Sequence, residues 1–75
     1  MDKDMVPINY VEENCTLVKK SASTKEGEFV GIWVSRSTGQ YFVGWNTYRV
    51  FVPIESFVDA RSVYREYTRD SVIGV

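Results

Sequence analysis

Trp33, Phe42, Arg49 and Phe51 fall at spacings that bring them to one face of a β-meander. Large rings beside an arginine are the material of protein-binding hot spots, because both give up their water readily against a partner. These four residues are the first candidate partner-binding set. A second set is basic: Arg61, Arg65 and Arg69 recur at i, i+4 and i+8, one face of a helix, and Arg36 sits at a hairpin tip. Such a row is ordinarily the wet side of an amphipathic helix, and its functional version is a stripe facing an acidic protein or a phosphate backbone.

Other chemistry is missing from the sequence. With no histidine there is no imidazole base, no Ser-His or Cys-His nucleophile pair and no histidine zinc ligand, and Cys15 alone cannot build a structural zinc site. Glu26 and Glu28 lie at a hairpin, and Glu55, Asp59 and Glu66 on a predicted helix, so no two carboxylates are set across a cleft. The glycines fit no phosphate-loop or dinucleotide spacing. The expectation is a protein that is not an enzyme and holds no metal or cofactor.

The elements that must position the rings are three β-rich runs, residues 28–36, 40–45 and 48–52, separated by Ser37-Thr38-Gly39 and Asn46-Thr47. Pairing Ser37 with Gln40 and Trp45 with Tyr48 gives two faces by alternation. One carries Val30, Ile32, Val34, Tyr41, Val43, Trp45, Tyr48, Val50 and Val52 and reads as core. The other carries Phe29, Trp33, Phe42, Arg49 and Phe51 beside Gly31, Ser35 and Gly44, with Trp33 set opposite Gly44. It is either covered, by residues 5–18, or used. Residues 15–20 form a further strand, and the small polar linker 21–27 is the expected place for nicking. Pro53 closes the last strand. Ser56 followed by Asp59 marks a helix start, and Phe57, Ala60, Val63 or Tyr64, and Tyr67 give a buried stripe running to about Arg69. The fold class read from this pattern is α+β, an antiparallel sheet of three or four strands with the C-terminal helix on its aliphatic face, Phe57 and Tyr64 being core. A small, partly closed β-barrel capped by the helix is the alternative.

Length allows one domain, over residues 15–69, between an acidic irregular leader (1–14) and a short apolar tail (70–75) able to pair on a sheet edge. Composition is that of a folded globular protein, 44% hydrophobic and 15% aromatic. The formal charge of −1 conceals a split: residues 1–14 sum to −3 and residues 15–69 to +3. A single cysteine, no apolar run of spanning length and no basic-then-apolar opening point to the cytoplasm and away from membranes.

Together these features suggest a small regulator or inhibitor that works by occupying a surface of another protein, a role suited to a factor encoded by a phage or mobile element. Two alternatives stand beside it. One is a sheet-face nucleic-acid binder using Trp33, Phe42, Arg49 and Lys19. The order of elements resembles that of small DNA-binding domains that lay a sheet in the major groove, although no motif is shared and a pI near 5.3 opposes strong phosphate binding. The other is a homodimer or larger homo-oligomer, joined through the aromatic face or residues 72–75.

Overall fold

The computed structural model describes residues 6–47 and 51–71. Their order is α1 (Ile8–Asn14), β1 (Cys15–Lys20), β2 (Val30–Ser35), β3 (Tyr41–Trp45), β4 (Val52–Ile54) and α2 (Phe57–Ser71). The strands form one antiparallel sheet in the order β1-β2-β3-β4, with α2 packed on one face. The architecture is thus α+β and not a closed barrel.

The hairpin registers differ from the expected ones by two residues, and the loops explain why. Ser35 pairs its N–H with the Gln40 carbonyl at 2.8 Å, leaving a four-residue loop in which the Ser35 hydroxyl accepts the N–H groups of Ser37 and Thr38. Gly39 closes it at φ +78°, a backbone conformation that favours glycine. Trp33 therefore lies opposite Phe42, not Gly44. At the next pair Phe42 lies opposite Pro53, which is inside β4 instead of ending the strand before it. Proline is tolerated there because β4 is an edge. A shift of two preserves side-chain parity, so both faces keep the composition read from the sequence.

Each face carries its own core. On the aliphatic side, Val30, Ile32 and Val43 pack with Ala60 and Tyr64 of α2, and Tyr41, Trp45, Ile54, Val63 and Tyr67 close around them. The helix starts as expected: the Ser56 hydroxyl accepts the Asp59 N–H at 3.1 Å. Phe57, expected in the core, is instead 40% exposed and only tilts against Tyr41, ring centroids 5.6 Å apart. As the first helical residue it sits at the start of α2, ahead of Ala60 and Tyr64, which pack on the sheet. Val50 and Tyr48, also read as core, lie outside the described residues.

Residues 1–14 were expected to be irregular, yet residues 8–14 are the helix α1. Seven residues with no side-chain cap are too short to be stable alone, so tertiary contacts hold this helix. Ile8 and Val11, one helical turn apart, face the sheet, and Val11 is fully buried beside Cys15, the first residue of β1. Val6 adds a bridge to Phe51, each N–H meeting the other's carbonyl, at 3.3 and 3.1 Å. The linker 21–27 is likewise tied down: Asn46 accepts the Phe29 N–H at 2.8 Å and donates to the Gly27 carbonyl at 3.2 Å.

Candidate functional site

The aromatic face is interior. Trp33 and Phe42 are 4% exposed and Phe51 is 1% exposed, packed with Val11 and Cys15 and flanked by Val6, Ile8 and Phe29. Two glycines make the packing possible. A Cβ on Gly44 would lie 2.1 Å from the Phe51 ring, and one on Gly31 would lie 2.6 Å from the Trp33 ring. Trp33 thus covers Gly31, and the bare backbone of Gly44 is covered by Phe51. Arg49 lies outside the described residues. Rings this deeply covered present no surface to a partner, and the reading of Trp33, Phe42 and Phe51 as a binding patch is corrected to a core role. The cover is residues 6–15, whose own apolar spacing was the signal for it.

Arg36 is also placed by the fold. Its N–H donates to the Asn14 carbonyl at 3.1 Å, and its guanidinium donates to the carbonyls of Cys15, at 2.8 Å, and Glu13. It closes the C-terminal end of α1, where the helix dipole favours a cation. Burial pushes the Cys15 thiol up from its ordinary value, and the Arg36 charge pulls it part of the way back.

Two arginines of α2, Arg61 and Arg65, share a cleft with Lys19. Between α2 and β1 lies an open cleft of about 460 Å³ lined by Lys19, Phe57, Arg61, Tyr64 and Arg65. Lys19 reaches it because the ladder is irregular after Leu17: Leu17 pairs with Trp33, whereas Lys19 pairs with Ile32. Val18 is the extra residue of a β-bulge, so Leu17 points to the ring side and Lys19 to the helix side. The Lys19 ammonium then stands 5.5 Å from the centroid of the Tyr64 ring. The adjacent apolar pair Leu17-Val18, which breaks strict alternation, was the only trace of this bulge in the sequence.

Lys19, Arg61 and Arg65 are exposed, and among the described residues none of them is neutralised by an ion pair. Arg69 extends the same helix face into a neighbouring shallow groove shared with Ser62, Arg65, Glu66 and Thr68. There Glu66 offsets part of the charge. The Tyr64 hydroxyl is pushed up by burial, so the ring facing Lys19 stays neutral under physiological conditions. The cleft thus combines three cations with one buried ring, Tyr64, and one partly exposed ring, Phe57.

No family model, curated protein or solved structure matches this chain. Among the described residues no helix is long and apolar enough to cross a membrane, and no group of three or more His, Cys, Asp or Glu side chains is placed to hold a metal ion.

Proposed function

We propose that this protein is a non-enzymatic interaction module of the cytoplasm that regulates or inhibits another protein by docking the cleft of Lys19, Phe57, Arg61, Tyr64 and Arg65 onto an acidic surface. The observation that carries this reading is that three exposed cations, Lys19, Arg61 and Arg65, line one cleft with Phe57, the first residue of α2, whose ring is left 40% exposed. An exposed phenylalanine in a cleft that also carries cations supplies both parts of a hot spot: an apolar anchor that leaves water, and charges that steer an oppositely charged partner into register. The body of the chain, at +3 over residues 15–69, supports attraction to acidic partners without the strong basicity of a phosphate binder. The nucleic-acid alternative is weakened because its stacking platform, Trp33 and Phe42, is interior.

The test is affinity capture from lysate of cells that express the protein, with nuclease-treated and untreated halves, comparing the wild-type chain with Arg61→Glu/Arg65→Glu. The reading expects a protein captured equally in both halves and lost with the double variant. Capture that vanishes with nuclease, or that survives the charge reversal, would contradict it.

A further inference from the structure

The two edges of the sheet offer different things to an additional strand. β4 has three residues and includes Pro53, which has no N–H to donate. β1 has six residues, of which the last five are exposed, and Leu17 and Val18 are 40% and 48% exposed. Among the described residues no strand lies on the outer side of β1. A strand with an open outer edge is a template for main-chain pairing, and the side chains along it decide which strands are accepted.

Those side chains are sorted by the bulge at Val18. On the helix side, Lys19 joins Arg61 and Arg65. On the ring side, Leu17 lies near Gly31, and the Lys20 ammonium stands 5.0 Å from the centroid of Phe29. A strand laid along β1 alternates its own side chains between these two environments. One set meets three cations; the other meets Leu17 and a single lysine. A second copy pairing β1 with β1 would bring the same cations together from both chains, and like charges at such short range oppose the contact. The edge therefore selects by sign.

We infer that β1 is a docking edge for an extended acidic segment of a partner protein, which joins the sheet as a fifth strand, its carboxylates toward Lys19, Arg61 and Arg65 and an apolar side chain beside Leu17. This rests on the reading of the basic cleft proposed above and adds to it the ligand's conformation and the main-chain edge that holds it. The bulge and the two lysines, which discourage neutral or basic strands from pairing here, leave an acidic strand as the one whose charges compensate them.

The probe is a blocked octapeptide of alternating Glu and Val, compared with the same peptide N-methylated at every second residue and with a Lys–Val counterpart. Each is titrated into the ¹⁵N-labelled full chain and followed by NMR. The Glu–Val peptide is expected to shift the amides of residues 15–20 and the side chains of Arg61 and Arg65, and to slow hydrogen exchange along β1. N-methylation should weaken binding about tenfold or more, as loss of one or two main-chain hydrogen bonds requires. The Lys–Val peptide should not bind. Lys19→Glu/Arg65→Glu should lose the peptide while keeping the wild-type circular dichroism and melting temperature. If the N-methylated peptide binds as well as its parent, the carboxylates are held without strand pairing: the inference falls and the basic-cleft reading stands. No binding of the Glu–Val peptide, shifts centred away from β1, or β1 amides already protected by self-association would each overturn the inference, with the capture experiment left to judge the cleft.

Discussion

Exchanging the fates of two phenylalanines tests the packing on which the functional reading depends. Phe42 is 4% exposed between Trp33 and the N-terminal cover, whereas Phe57 is 40% exposed on the helix side. Removing a fully buried phenylalanine costs about 3–5 kcal/mol, transfer and cavity together. Phe57 has already left part of its ring in water, so Phe57→Ala should cost only about 1–2 kcal/mol, a fraction of what full burial of such a side chain contributes. A chain of 75 residues has a total stability on the order of 4–11 kcal/mol, so Phe42→Ala consumes a large share of it and Phe57→Ala does not. Urea unfolding followed by tryptophan fluorescence measures both. The midpoint should fall far more for Phe42→Ala, with the slope unchanged in each variant, since neither alters the surface exposed on unfolding. A larger loss for Phe57→Ala would show that the helix face holds the main core, that the ring face is open, and that the cleft is misassigned.

Further outcomes follow from single contacts. Gly44→Ala forces a methyl group into the Phe51 ring and should destabilise by about 1–3 kcal/mol in the same unfolding assay; an unchanged midpoint would mean that Phe51 does not lie there. Arg36→Ala removes two donors from the end of α1 and should cost about 1–2 kcal/mol, with hydrogen exchange accelerating first in residues 8–14; uniform acceleration would deny Arg36 that local role. The Cys15 thiol and the Tyr64 hydroxyl are both raised by burial, so the folded state keeps protons that the unfolded chain releases. Their contribution is whole below the ordinary thiol value of 9.0 and is lost as pH rises through the folded values, so the melting temperature should fall above pH 9.0 and fall less for Cys15→Ala/Tyr64→Phe. A parallel decline in that double variant would place the alkaline sensitivity elsewhere.

Much of this fold is visible in the residues, and what escapes has a physical reason. The span of β1 and the cap at Ser56 follow from local patterns that tertiary structure leaves alone. Both hairpin registers slip by two because loop length depends on side-chain bonds such as those of Ser35, which composition does not reveal; the faces survive because the slip is even. The helix α1 escapes because its seven residues carry no cap and owe their conformation to Arg36, Phe51 and the rings they cover. That missing helix is why Trp33, Phe42 and Phe51 read as a surface. The row Arg61, Arg65 and Arg69 was legible as a face, but its cleft was not, because Lys19 arrives there only through the bulge at Val18.

Site-specific photocrosslinking in cells that express the protein tests the central claim most directly. A photoreactive phenylalanine analogue at position 57 stands in the basic cleft, and the same analogue at position 13 stands on α1, across the sheet. The account predicts a discrete protein adduct from position 57 that resists nuclease, disappears when Arg61 and Arg65 are changed to Glu, and does not form from position 13. Adducts from position 13 alone, or a nucleic-acid adduct from position 57, would contradict it.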